Sequence, residues 1–361
     1  MFVQIVNHLI GINHDRIKNK IKMEKEKENQ TKLFQGKQRY FCLNKNAEEV
    51  DKLKSKVDLI YIDPPFCTQR EFRLHSEGSL GFDDKWKSKE DYINWLSEIV
   101  TKLFSKLKPT GSIYIHNNFE SNSFLFTKLP EEIRKNYLTT IYWQRSHPHN
   151  NISSNWGNIV DTIIVFGKTK KPFFRVQYSP LDEKYKNNSF NNKDKKGNYA
   201  LAPITGERSR IGNMFEYNGF SPKFGWRKSK EDVEKLDKEG LIHFGKNKPY
   251  RKIYLSESNG RPIQNIWYDI FPITRTEKDR RQYPTQKPVK LLKRIILSSC
   301  PDKGIVFDPF AGSGSILKAV IEINNEKKKE INCICSDINK KAIELIQGID
   351  GVKFSDEIIW N

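Results

Sequence analysis

Apolar runs of strand length recur along this chain, and their alternation with helix-periodic stretches limits the fold more than any other feature. RYFCLN, VDLIYID, SIYIHN, TTIYWQRS, DTIIVFGK, GIVFD and INCICSD all read as strands. Between several of them lie amphipathic segments, of which KEDYINWLSEIVTKLFSKL is the clearest. There Tyr92, Ile93, Leu96, Ile99, Val100, Leu103, Phe104 and Leu107 fall on one helix face. AEEVDKLKS, PVKLLKRIILSSC and the stretches after GIVFD and INCICSD are predicted as further helices. The expectation is an α/β fold with a mostly parallel, doubly wound sheet.

The rhythm fails over residues 169–282, where polar loops, aromatics and positive charge mix without a period. That stretch reads as an irregular α+β insertion between two halves of one domain, 37–168 and 283–361. Residues 1–36 carry a charged run without a core-forming pattern and read as a basic arm. FVQIVNHLIGI is too short and polar to span a bilayer, and no signal peptide is evident, so a cytoplasmic protein without membrane attachment is expected. Five cysteines without paired spacing fit a reducing compartment. His147 and His149 have no third ligand near them in sequence, and no metal is expected.

Composition bears on partners. The chain of 361 residues has 63 Lys plus Arg against 44 Asp plus Glu, a formal net charge of +19. Such an excess favours a polyanion, because neutralised phosphates release counterions. A lysine-rich codon bias is the competing explanation. An aromatic share of 12% argues against a disordered chain.

Chemistry concentrates where strands end. The run LIYI stops at Asp63, followed at once by Pro64, Pro65 and Phe66. Prolines fix a turn and remove donors, so a carboxylate and free carbonyls stand beside an aromatic face. That set suits an aromatic amine; a proline turn with a capping aspartate is the bland alternative. IVFD ends at Asp308 and leads through Phe310, Gly312 and Gly314 into a helix starting near Ser315, a turn that lets backbone approach a ligand or merely pack. CICSD ends at Asp337, placed to bind ribose hydroxyls or to cap the next helix. The GxxxxGK[ST] phosphate loop is absent.

DPPF followed later by DPFAGSGS resembles the DNA amino-methyltransferases that use S-adenosylmethionine. The order, catalytic motif first, resembles their β arrangement. YPTQKPVKLLKRII looks like that family's remaining cofactor segment, and FSPKFGWRKSKEDVEKLDKEGLIHF resembles bacterial adenine methylases of the type III modification kind. The resemblance covers residues 38–350 and implies a Rossmann-like methyltransferase sheet. Two positions depart from the pattern: Phe66 stands where tyrosine is common, and Ser315 where threonine is.

The resemblance implies methyl transfer from S-adenosylmethionine, leaving S-adenosylhomocysteine, to the N6 amine of adenine flipped out of double-stranded DNA. It gives catalysis to Asp63, Pro64, Pro65 and Phe66, and cofactor binding to Asp308, Phe310, Gly312, Gly314, Asp337, Thr285 and Lys287. The insertion would read sequence, with Arg227, Lys228, Lys246, Lys248, Arg251 and Lys252 as phosphate contacts. Cytosine-N4 methylation, RNA adenosine methylation and a non-catalytic nucleic-acid-binding subunit are the alternatives. A restriction endonuclease partner and a homodimer are both compatible with it, although the chain is short for a type III modification subunit.

Overall fold

The computed structural model describes residues 39–73, 80–148, 154–273, 286–349 and 351–354. The arm expected at 1–36, His149 and Thr285 lie outside them. Two compact units emerge: one runs to Arg175 and resumes at Gln264, and the other is Val176–Ile263.

A nine-stranded sheet carries the larger unit. From edge to edge its strands are Ile266–Trp267, Tyr137–Gln144, Val160–Gly167, Leu107–Asn117, Val57–Ile62, Ile305–Asp308, Asn332–Asp337, Tyr40–Asn44 and Val352–Phe354. Val160–Gly167 is antiparallel to both neighbours, and every other pairing is parallel. Helices cover both faces. Ile60, Ile62, Ile113, Ile115 and Phe307 share a core with Tyr92, Leu96, Val100 and Leu103 of the helix Lys89–Ser105. On the opposite face Tyr114 Oη meets Ser299 Oγ at 2.6 Å, in the helix Val289–Ser299, which packs on Ser315–Lys327.

The stretch AEEVDKLKS differs from expectation. It forms a 3-10 helix, Ala47–Lys52, capped by the Asn46 side chain. Its buried residues Ala47, Val50 and Leu53 are spaced by three, which suits three residues per turn.

Strand order sets the position of the site. From Val57–Ile62 the chain crosses by Lys89–Ser105 to one side; from Ile305–Asp308 it crosses by Ser315–Lys327 to the other. These two strands are parallel neighbours, with Leu59 opposite Val306 and Ile60 opposite Phe307. Crossovers that diverge on opposite faces leave a crevice at the carboxyl ends of such a pair. Asp63 and Asp308 stand there.

The unit Val176–Ile263 holds a four-stranded antiparallel sheet, ordered Ile242–Phe244, Pro249–Tyr254, Gly197–Pro203, Asn192–Asp194. One small core cluster there is Ile204, Trp226, Val233 and Ile242, with Phe215 stacked on Trp226 at 5.4 Å, and Phe190, Tyr199 and Tyr254 are buried besides. Residues 169–175 and 264–273 fold with the larger unit instead. Arg175 N–H donates to Ser298 O at 2.7 Å, and Ile266–Trp267 supplies the edge strand. Among the described residues no helix is long and apolar enough to cross a membrane, and no group of three His, Cys, Asp or Glu side chains is placed to hold a metal.

Candidate active site

A cleft of about 1170 Å³ opens at the carboxyl ends of the central strands of the larger unit. Asp63, Pro64, Pro65, Phe66, Asp308, Phe310, Gly312, Asp337 and Lys287 all line it. These residues come from four separate sequence segments that the fold of the larger unit brings together. Thr285 falls outside the described residues.

Asp63 follows a strand whose six residues are all buried. Its Oδ2 accepts from Lys287 Nζ at 2.5 Å. Its Oδ1 is buried and has no hydrogen-bond partner among the described residues. A buried acceptor left unmatched costs about 1–3 kcal/mol, so this oxygen calls for a donor. Phe66 is half-buried beside it, outside the main core cluster, with Lys287 Nζ 5.4 Å from its ring centroid.

The loop after this strand is pinned from several sides. Tyr92 Oη donates to Pro65 O at 2.6 Å, and Asn118 Nδ2 donates to Phe66 O at 3.1 Å. Asp84, only 1% exposed, accepts from the backbone N–H groups of Phe66, Cys67 and Thr68 at 3.2, 2.8 and 2.8 Å. It also takes the Thr68 hydroxyl at 2.6 Å. Cys67 and Gln69 have φ of 59° and 62°, a left-handed conformation that costs non-glycine residues roughly 1–2 kcal/mol each. Asp84 offsets that strain by collecting the turn's donors on one carboxylate.

Behind Phe66 runs a buried polar chain. Tyr61 Oη lies 2.8 Å from His116 Nδ1, His116 Nε2 lies 3.3 Å from Asp161 Oδ2, and Arg145 Nε reaches Asp161 Oδ1 at 2.9 Å. Burial raises the Tyr61 phenol well above its usual value, and the charges of Asp63, Asp308 and Asp161 add to this. Tyr61 therefore stays a hydroxyl within this chain. The His116 ring centroid is 5.9 Å from that of Phe66, so the chain backs the half-buried ring. Neither Asp84 nor this chain is apparent in the sequence. His116 offers the one signal, a polar residue within an otherwise apolar strand.

The other half of the cleft is built by the glycine turn. Gly312 and Gly314 have φ of 49° and 75°. A Cβ at Gly314 would lie 2.8 Å from Ile346 Cγ1, so the position is closed to larger residues by conformation and by packing. Asp337 Oδ2 accepts from Gly312 N–H at 2.9 Å and its Oδ1 from Asn339 N–H at 2.8 Å. It thus holds the glycine turn to the next strand end. Burial raises Asp337, against the pull of those two N–H groups. Burial pushes Asp308 well above the carboxylate range; the Phe310 N–H pulls it back, and the charges of Asp63 and Asp337 push it further.

Of the residues expected to touch phosphates, Lys228, Lys246, Lys248 and Arg251 are exposed. Arg227 and Lys252 are engaged within their own unit. Arg227 Nε donates to Thr205 O at 2.8 Å and its Nη2 pairs with Glu207 at 3.0 Å. Lys252 pairs with Asp194 at 2.8 Å, and its ammonium draws Asp194 down to about 2.

The cleft's motifs lie within a longer match: residues 57–348 correspond to a family of known proteins described as DNA methylase. The chain belongs to the DNA methylase family. Among similar proteins, the type III restriction-modification enzyme StyLTI Mod subunit of Salmonella typhimurium is 29% identical over 310 residues, covering 75% of this chain and 47% of that protein. The type II methyltransferase M.EcaI of Enterobacter cloacae is 28% identical over 269 residues, covering 73% and 59%. The DNA adenine methyltransferase YhdJ of Escherichia coli is 28% identical over 292 residues, covering 77% and 76%. This DNA methylase therefore spans about half the length of the first of these relatives.

Proposed function

We propose that this methylase transfers a methyl group from S-adenosylmethionine to the exocyclic N6 of adenine in duplex DNA at a specific site, leaving S-adenosylhomocysteine. The observation that carries the reading is Asp63, which lines the cleft beside Phe66 and whose buried Oδ1 has no hydrogen-bond partner among the described residues. An aromatic amine supplies the N–H that this oxygen lacks and the flat face that the ring takes.

The residues present fit a nucleoside cofactor. Gly312 lines the cleft and leaves room for backbone approach, Gly314 shapes the turn while packing on Ile346, Asp337 offers lone pairs to ribose hydroxyls beyond its two backbone bonds, and Phe310 gives an apolar wall. When bound, S-adenosylmethionine supplies a methyl on a positively charged sulfur, and the carbon–nitrogen bond forms as the carbon–sulfur bond breaks with its electron pair staying on sulfur. The chain's own part is positioning and electrostatics. Asp63 Oδ1 accepts one amine N–H and concentrates the nitrogen lone pair. Because the Pro65 carbonyl is committed to Tyr92, the second acceptor is the Pro64 carbonyl. The surplus proton leaves the methylated nitrogen to water.

Aspartate rather than serine at the head of the motif supports adenine over cytosine, as does the similarity to a DNA adenine methyltransferase. The Val176–Ile263 unit would read sequence, with Lys228, Lys246, Lys248 and Arg251 on phosphates. Sequencing the DNA of a methylation-free host with and without the gene, by a method that detects modified bases, tests the reading. New N6-methyladenine at one sequence is expected; N4-methylcytosine, or no modified base, would overturn it.

A further inference from the structure

Lys287 reaches Asp63 across 224 positions of sequence and is one of the least exposed cations of the larger unit, its side chain 11% exposed against 17% for Asp63. Its mount is rigid. It stands two residues before the helix Val289–Ser299, whose Leu291, Leu292, Ile295 and Ile296 are buried and which packs on the Asp63 strand. Its ammonium touches both members of the catalytic corner, bonding Asp63 Oδ2 at 2.5 Å and lying 5.4 Å from the Phe66 centroid.

A carboxylate with both oxygens unpartnered turns freely about its last bond. With Oδ2 held, the turn is stopped and Oδ1 is left as the acceptor without a partner among the described residues. Among the described residues, the other charged groups named around Asp63 do not offset its charge. Asp308 on the next strand is raised partly by Asp63's charge and lowered by that of Lys287, and the phenols of Tyr61 and Tyr92 offer no compensating positive charge. Arg145 is paired with Asp161 instead.

We infer that Lys287 is a positioning residue for methyl transfer: it grips Asp63 Oδ2 so that Oδ1 is preorganised for the target amine, and its main effect is on turnover and not on cofactor affinity. The assignment rests on the methylation reading above and goes beyond it, since the family resemblance places Lys287 in the cofactor pocket.

The test is the split between turnover and cofactor affinity in Lys287→Met and Lys287→Arg, with wild type alongside. At saturating cofactor and DNA, Lys287→Met should lose about a hundredfold in kcat, the scale of one preorganised electrostatic partner. Lys287→Arg, which keeps a donor for Oδ2, should recover to within about tenfold of wild type. Cofactor affinity by calorimetry should change by less than about threefold. Removing Lys287 alone leaves a buried charge that can unfold the protein, so the double variant Asp63→Asn/Lys287→Met is compared with Asp63→Asn. There cofactor affinity should be equal. Wild-type kcat in Lys287→Met once cofactor saturates, or a loss of cofactor affinity of about tenfold or more in the double variant, would overturn the assignment. No transfer by wild type would instead sink the methylation reading on which it rests.

Discussion

The cleft of the larger unit and the Val176–Ile263 unit handle charge in opposite ways. In the cleft, carboxylates are buried at strand ends, and desolvation raises Asp308 and Asp337. In the other unit Lys228, Lys246, Lys248 and Arg251 stand exposed, and Asp194 is drawn down by its bond with Lys252. Burial costs stability and fixes geometry, which suits a site whose work is to preorganise an acceptor. Exposed charge costs little and fixes little, which suits long-range attraction to a polyanion. Substitutions in the cleft should therefore change turnover, and those in the other unit should change DNA affinity and its salt dependence.

The largest expected effect is at Asp63. Asp63→Ala should reduce methyl transfer at least about a hundredfold while calorimetry still finds cofactor binding; near-normal turnover would remove the division between the two regions. Phe66→Ala comes next, weakening binding of target DNA by roughly 1–3 kcal/mol if the ring stacks on a base. Thermal unfolding checks the alternative, since emptying a core site of phenylalanine costs about 3–5 kcal/mol. Gly314→Val should weaken cofactor binding and cost about 1–2 kcal/mol from its left-handed backbone alone; unchanged affinity would reduce the turn to a packing feature.

Smaller effects belong to the other unit. Replacing Lys246, Lys248 and Arg251 by glutamine should leave kcat intact and flatten the dependence of DNA affinity on salt by about 0.9 per lost phosphate contact. A salt slope equal to wild type would assign DNA contact elsewhere. The smallest effect is on stability against pH, and here the two regions differ in sign. Asp194 is lower folded than unfolded, so its contribution is present above its ordinary value of 3.8 and lost as pH falls toward about 2. Asp308 is raised, so its contribution is present below 3.8 and lost as pH rises through its folded value. Asp194→Asn and Asp308→Asn should tilt the stability–pH curve in opposite directions.

The same contrast governs what the sequence disclosed. Strands and helices of the larger unit were legible because parallel strands buried on both faces read as continuous apolar runs, and Lys89–Ser105 carries its period openly. Asp63, Asp308 and the glycine turn were legible because each closes such a run. The reversal of Val160–Gly167 was not, since an apolar run carries no direction. Tyr61, His116 and Asp161 meet only through strand order, about fifty residues apart each time. Asp84 looks like any acidic turn residue until the left-handed Cys67 and Gln69 are seen bound to it. In the Val176–Ile263 unit the strands are short and partly polar, and a small core leaves no period to read. Arg227 and Lys252 showed there as surface charge, whereas both are committed to internal partners.

Transfer of a radiolabelled methyl group from the cofactor to duplex DNA, followed by digestion to nucleosides, tests the central claim most directly. The purified protein should place the label in N6-methyl-2′-deoxyadenosine, and duplexes whose adenines lack the exocyclic amine should take up none. Label in N4-methyl-2′-deoxycytidine, or equal labelling of the amine-free duplex, would contradict the assignment of the cleft to adenine.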